Sequence, residues 1–164
     1  PVTTHLPLKK IFKKISKERI IFQVKKINEF YKIYLKKKPS IALTGLNPHC
    51  ETLDKFSEEE KILNPAVKKL KQNNIKISGP FPADTIFLKK NYMQYDVIVG
   101  MYHDQVLAPL KSLYGFDAIN ITIGLPFIRI TVDHGPNNKM IGKNLSSSKS
   151  LIEAINFAKN LRDI

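Results

Sequence analysis

Tyr95-Asp96-Val97-Ile98-Val99-Gly100-Met101-Tyr102-His103-Asp104 is the stretch from which the fold is read most directly. Its first seven residues have the length and apolar content of a buried strand, and that strand delivers its carboxyl end to the polar Tyr102-His103-Asp104. Residues 105–114 suit a helix. Upstream, Ile41-Ala42-Leu43-Thr44-Gly45 reads as a second short buried strand, running into the loop Leu46-Asn47-Pro48-His49. Ile75-Lys76-Ile77 reads as a brief strand closed by the turn-rich Gly79-Pro80-Phe81-Pro82. Strands are also expected over 118–123 and 127–132, and a closing amphipathic helix over 150–161.

Between these strands lie helical patterns. Leu8, Ile11, Phe12 and Ile15, then Ile20, Ile21, Val24, Ile27, Phe30, Tyr31 and Tyr34, recur at spacings of three and four, in two segments meeting near Ser16. Ser57-Glu58-Glu59-Glu60 has the form of a helix start, with a capping serine and acids where the helix dipole favours them. Pro65 sits too deep for a first helical position, so a kink or restart is expected there. Strands alternating with helices imply an α/β layer structure with a mainly parallel sheet, whose ligands collect beyond the carboxyl ends of the strands.

The chain has 164 residues, 27 Lys and Arg against 14 Asp and Glu, and a single cysteine, Cys50. That length buries a core without disulfides, and Cys50 has no partner for one. No apolar run approaches the roughly 20 residues of a membrane helix, so no membrane partner is expected and the cytoplasm is the expected compartment. A formal charge of +13 invites a nucleic-acid reading, but only Arg19, Arg129 and Arg162 are arginine. Lysine lacks arginine's fork for phosphate and base edges, so a solvated basic surface without nucleic acid is the better reading. The seven glycines never form G-x-G, so neither a dinucleotide fingerprint nor a Walker loop is present. With no repeat and no linker, residues 1–164 read as one unit without an internal boundary.

Four histidines stand in polar, turn-rich settings: His5, His49, His103 and His134. Any one alone is more often surface decoration than a ligand. His49, His103 and His134 each follow an expected strand, however, and could converge on one rim. Three imidazoles with oxygen donors nearby suit a divalent cation with open positions for a substrate. Asp104 adjoins His103, and Asp84 lies in the Pro82-Ala83-Asp84-Thr85 turn. Either could orient an imidazole or act as a base, although capping a helix is the plainer reading of Asp84. Lys111 and Arg129 would suit a phosphate or carboxylate, and Arg129, within Pro126-Phe127-Ile128-Arg129-Ile130, needs an anionic partner if buried.

Several strings, in order along the whole chain, resemble the 4-hydroxythreonine-4-phosphate dehydrogenase family: Thr3-Thr4-His5-Leu6-Pro7-Leu8, Gly45-Leu46-Asn47-Pro48-His49, Gly79-Pro80-Phe81-Pro82-Ala83-Asp84-Thr85, Met101-Tyr102-His103-Asp104-Gln105, the stretch from Asn120 to Arg129, and Val132-Asp133-His134-Gly135. The resemblance implies an isocitrate/isopropylmalate-dehydrogenase-like three-layer α/β fold, of which this chain is the C-terminal portion with the N-terminal half absent. It further implies a homodimer with the site at the interface. The implied metal ligands are His5, His49 and His103, for Zn, Mg, Mn or Co, which leaves His134 outside the trio. Lys111, Asn120 and Arg129 are the implied contacts to a phosphorylated small-molecule substrate, and Asp84 and Asp104 the implied catalytic acids.

The implied reaction is NAD- or NADP-linked oxidation and decarboxylation of 4-phosphohydroxy-L-threonine, giving 3-amino-2-oxopropyl phosphate for pyridoxal phosphate biosynthesis. The chain by itself is expected to be catalytically incomplete, and a phosphometabolite-binding module without catalysis is the alternative. His5, close to the first residue, is expected to fray. Two stretches depart from the family pattern: Cys50-Glu51-Thr52-Leu53-Asp54-Lys55-Phe56 replaces a glycine-rich run, and Pro136-Asn137-Asn138-Lys139 stands where small and apolar residues are expected.

Overall fold

The computed structural model describes residues 1–50, 57–135 and 138–162. Most of the first departing stretch, 51–56, and Pro136 and Asn137 of the second lie outside the described residues. The chain divides into two compact units, Pro1–Pro109 and Leu110–Ile164.

In the first unit, α1 (Leu8–Ile11) and α2 (Lys17–Tyr34) meet around Ser16, whose Oγ accepts from the Arg19 amide at 3.2 Å and caps α2. The sheet has the order β2-β1-β3, all parallel, with β1 (Ile41–Thr44) between β2 (Ile77–Phe81) and β3 (Val97–Val99). Every residue of β1 is buried, as a central parallel strand covered on both faces requires. Ile20 and Val24 of α2 join Ile41, Leu43, Leu63, Leu70 and Met101 in the core.

Pro65 acts as its chemistry demands. It has no N–H to donate to the Lys61 carbonyl, and the ladder widens to a π turn over Glu59–Leu63, with the Asn64 amide bonded to the Glu59 carbonyl. The regular helix α3 (Asn64–Gln72) starts only there. The expected strand at Ile75–Ile77 is corrected to Ile77–Phe81. Gly79 and Pro80, read as a turn, belong to β2, because an edge strand tolerates a residue without a donor. The short helices α4 (Ala83–Ile86) and α5 (Lys89–Tyr92) lead on to β3. From β3 the chain enters α6 (His103–Tyr114), which crosses the division between the units.

The second unit contains β4 (Ile119–Thr122) and β5 (Arg129–Val132), an antiparallel pair rather than an extension of a parallel sheet. The helix α7 (Lys149–Arg162) packs against both. Among the described residues no helix is long and apolar enough to cross a membrane.

Asp96, just before β3, ties the sheet edge to the end of α2. Its carboxylate accepts from Lys37 Nζ at 2.5 Å and from the Ser40 amide at 2.8 Å, and these bonds hold its pKa below the usual carboxylate value. A depressed folded pKa contributes stability that is fully present above the ordinary carboxylate range and is lost as pH falls through the folded value. Asp96→Asn is therefore expected to lose about 1 kcal/mol or less at neutral pH, since the lysine is exposed, and to converge with the parent protein in acid. Urea denaturation across a pH series measures both, and a difference independent of pH would contradict the assignment.

Candidate active site

Because β1, β2 and β3 are parallel, their carboxyl ends share one edge, and the loops beyond them carry the first group of expected site residues. His5 reaches this edge from the start of the chain, and the residues just before it are tied down rather than loose. Val2 donates to the Gly100 carbonyl at 2.7 Å, and Thr3 donates through both its amide and its hydroxyl to the Met101 carbonyl, at 3.1 and 2.8 Å. Arg19 and Gln23 of α2 both donate to the Val2 carbonyl, and Val2 and Thr3 are buried. The segment thus runs beside the end of β3 and sets the His5 ring against that of His103, with centroids 5.6 Å apart.

His103 opens α6 directly after β3. Its Nδ1 lies 2.7 Å from Asp104 Oδ1. With the carboxylate as acceptor, Nδ1 carries the proton and Nε2 keeps its lone pair, the arrangement by which a carboxylate orients a metal-binding imidazole. Asp104 is thereby engaged with His103.

His49 follows β1 in a short 3₁₀ turn, Pro48–Cys50, and has φ +58°, with Cys50 next at +57°. Left-handed backbone is uncommon away from glycine, and two such residues in succession need support from their surroundings. The His49 Nδ1 lies 3.8 Å from Asp84 Oδ2. Asp84 does not cap α4: the residue preceding that helix is Pro82, and no side chain caps it. Asp84 instead lines a cavity of about 280 Å³ together with Asn47, Pro48, His49, Tyr102 and Gln105, among others.

Two interactions that the sequence did not disclose hold this edge together. Glu59, with only 2 % of its surface exposed, accepts from the amides of Leu46 and Asn47, each at 2.8 Å, and from Asn47 Nδ2 at 2.7 Å. Burial alone would raise its pKa, but these bonds outweigh it and leave the carboxyl below its ordinary value. Gln105, also buried, accepts from Thr44 Oγ1 and the Met101 amide and donates to the Gly45 carbonyl, linking the ends of β1 and β3. Glu59 had looked like one of three acids serving a helix dipole. No local signal in the sequence separates it from Glu58 and Glu60.

The remaining expected residues lie in the second unit. Asn120 and Arg129 are exposed and occupy the same face of the β4–β5 pair, since Asn120 pairs with Thr131 and Thr122 with Arg129. Arg129 is thus not buried, and its apolar neighbours point to the opposite face. Lys111 Nζ donates to the Asp133 carbonyl at 2.5 Å. It also lies 2.7 Å from Asp133 Oδ2, an ion pair whose angle falls short of a hydrogen bond. Its charge is therefore already balanced by Asp133, a residue the sequence reading left without a role. His134, following Asp133, is exposed.

Among the described residues, no group of three or more His, Cys, Asp or Glu side chains is placed to hold a metal ion. The donors nevertheless suit a divalent cation in kind: a pair of imidazoles, His5 and His103, with a carboxylate on one of them, and a third imidazole, His49, beside Asp84.

A family model described as "Pyridoxal phosphate biosynthetic protein PdxA" matches residues 1–158. The chain belongs to the PdxA family. A 4-hydroxythreonine-4-phosphate dehydrogenase of Sulfurihydrogenibium is 45 % identical over 165 residues, covering 99 % of this chain and 51 % of that protein. A D-threonate 4-phosphate dehydrogenase of Pectobacterium atrosepticum is 37 % identical over 98 % of this chain and 49 % of its own. The crystal structure of a 4-hydroxythreonine-4-phosphate dehydrogenase from Klebsiella pneumoniae superposes with a TM-score of 0.83 at 35 % identity, over 98 % of this chain and 49 % of that one. The α/β architecture with its parallel sheet is therefore that of PdxA proteins, and this PdxA chain spans about half the length of the relatives it matches.

Proposed function

We propose that this chain forms the C-terminal half of a metal-dependent, NAD- or NADP-linked 4-hydroxythreonine-4-phosphate dehydrogenase. The complete molecule would have the three-layer isocitrate/isopropylmalate-dehydrogenase-like architecture, and its product would be 3-amino-2-oxopropyl phosphate. The observation that carries this reading is the pairing of His5 with His103, from opposite ends of the first unit, with Asp104 on the Nδ1 of His103.

His5, His49 and His103 would hold the cation. Since no three such side chains are grouped to hold an ion among the described residues, two copies of the chain facing each other would complete three imidazoles per ion, and the site would lie at a homodimer interface. Held by these histidines, a divalent ion would supply polarisation of the substrate's C3 hydroxyl and of the carbonyl formed from it, and a nicotinamide would supply the acceptor for the C3 hydride.

The protein's own groups do the rest. Asp104 is engaged with His103, so Asp84, whose Oδ2 lies 3.8 Å from His49 Nδ1, is the group to take the hydroxyl proton as hydride leaves. The resulting β-keto acid loses its carboxylate as carbon dioxide, and the same proton is available to C2. Lys111, Asn120 and Arg129 would receive the phosphate. For Lys111 this requires the substrate's anion to compete with Asp133.

The test is reconstitution. Chelator-treated protein of natural length, given Zn, Mg, Mn or Co with NAD or NADP, is expected to form reduced nicotinamide and carbon dioxide in equal amounts. Phosphate binding with no hydride transfer under any of these conditions would instead leave the non-catalytic binding module. Arg129→Ala is expected to lower kcat/KM by about 10²-fold, with kcat falling as well as KM rising, because binding energy at the phosphate positions the reacting carbon. An unchanged kcat/KM would remove Arg129 from the anchor.

The D-threonate 4-phosphate dehydrogenases among the relatives favour a second substrate reading. That acid bears the same C3 hydroxyl and 4-phosphate but has a hydroxyl at C2 in place of the amino group. The ratio of kcat/KM for the two compounds, measured side by side, decides between them.

A further inference from the structure

We propose that Glu59 is a positioning residue for His49: its buried carboxylate fixes the loop that presents the imidazole. This inference rests on the reading that His49 belongs to the metal-binding set.

A carboxylate in the interior is costly unless hydrogen bonds replace its hydration. Nothing in the helix start calls for that arrangement, because Ser57 already caps it, its Oγ accepting from the Glu60 amide at 3.3 Å. Among the described residues, the bonds the Glu59 carboxylate accepts from other residues go to the loop that follows β1. Oε1 accepts both the Leu46 and Asn47 amides, and Oε2 accepts Asn47 Nδ2, whose second proton is shared with Glu58 at 2.9 Å. Two residues later the chain enters the left-handed turn at His49 and Cys50.

The approach of the loop to this carboxylate is close. A Cβ on Gly45 would stand 3.2 Å from Glu59 Oε1 and 2.3 Å from Cys50 Sγ, so only glycine lets the strand end lie there without a shift. On the opposite side Gln105 holds the Gly45 carbonyl, and the Gly45 amide donates to Phe81 at 2.8 Å. The first half of the loop is thus pinned from three directions, and Glu59 supplies the pin nearest His49. The π turn forced by Pro65 begins at Glu59 itself, and such widened turns are frequent at functional sites. Held in this way, the backbone leading into His49 does not have to be ordered when a ligand arrives.

The experiment measures the dissociation constant for Zn²⁺ by competition with a chelating dye, in protein of natural length, for Glu59→Gln, Asn47→Ala, His49→Ala and the double variant Glu59→Gln/His49→Ala. Glutamine keeps the shape but offers a donor where Oε2 accepts. Glu59→Gln is expected to weaken Zn²⁺ by about 10-fold, within the range of groups that orient a ligand. Asn47→Ala, which keeps both backbone bonds, is expected to have a smaller effect, with the thermal midpoint of each single variant near that of the parent. The double variant is expected to be no worse than His49→Ala alone, because Glu59 acts through His49.

Parental affinity in both Glu59→Gln and Asn47→Ala, with His49→Ala impaired, overturns the proposal and leaves the metal reading standing. Losses that add in the double variant also overturn it, since they mark a role in general stability. Parental affinity in His49→Ala overturns the metal reading, and the positioning role with it. Should Glu59→Gln fail to fold, Asn47→Ala decides: weakened Zn²⁺ binding with an unchanged thermal midpoint supports the proposal, and unchanged binding overturns it.

Discussion

On the proposed metal-dependent reading, replacing His103 by alanine is expected to release the divalent cation and to lower kcat/KM by about 10³-fold or more, the scale of losing a ligand on which both substrate polarisation and substrate orientation would depend. The position allows no substitute from its surroundings. His103 is the first residue of α6, at the carboxyl end of β3, and its ring lies against that of His5 while Asp104 holds its Nδ1. Removing the imidazole leaves His5 without its companion and Asp104 without the group it orients. Asp104→Asn is expected to fall between the parent and His103→Ala, because it weakens the orientation and leaves the ligand. Elemental analysis of the purified variants, read beside their kinetics, checks both. Full metal content in His103→Ala would take this residue out of the ligand set, whatever the activity.

The residues around His103 also mark where the sequence is informative. The strand read over 95–101, observed over Val97–Val99, needed only length and composition to be recognised, and of the two serines that suit helix ends, Ser16 and Ser40, it is Ser16 that caps α2. These are local signals, and the structure keeps them. β2 was misplaced because Gly79 and Pro80 oppose a strand by propensity, and only their position at the sheet edge, a tertiary fact, makes them acceptable. Glu59 and Gln105 were invisible for the same kind of reason, since a carboxylate or an amide becomes a brace only when the loops it braces fold back onto it. Arg129 misled in the other direction. Its apolar neighbours suggested burial, whereas β-strand alternation places it on the outer face with Asn120. The histidines were legible as candidates, but the pairing of His5 with His103 follows from the way Val2 and Thr3 lie along the end of β3.

Gly79→Ala is the substitution expected to damage the fold most, by about 3 kcal/mol or more, and to impair the site with it. Gly79 has φ +116°, a conformation that an alanine adopts only with strain. Its added Cβ would stand 2.3 Å from the Leu43 carbonyl oxygen, a backbone atom of the central strand that has no rotamer with which to move away. The register reveals what must give. Ala42 pairs with Ser78 but Thr44 pairs with Phe81, so β2 carries one extra residue in a bulge beside Leu43. Flattening the bulge to relieve the clash would slip the following residues by one and turn their side chains to opposite faces. Phe81, which accepts the Gly45 amide, and Asp84, three residues on, would both lose their settings. Urea denaturation should therefore show a lowered midpoint with an unchanged slope. Kinetics of the folded fraction should show a fall in kcat that stabilising osmolyte does not restore. A loss of stability under about 1 kcal/mol would mean that the bulge yields cheaply, and that the edge strand does not fix the position of Asp84.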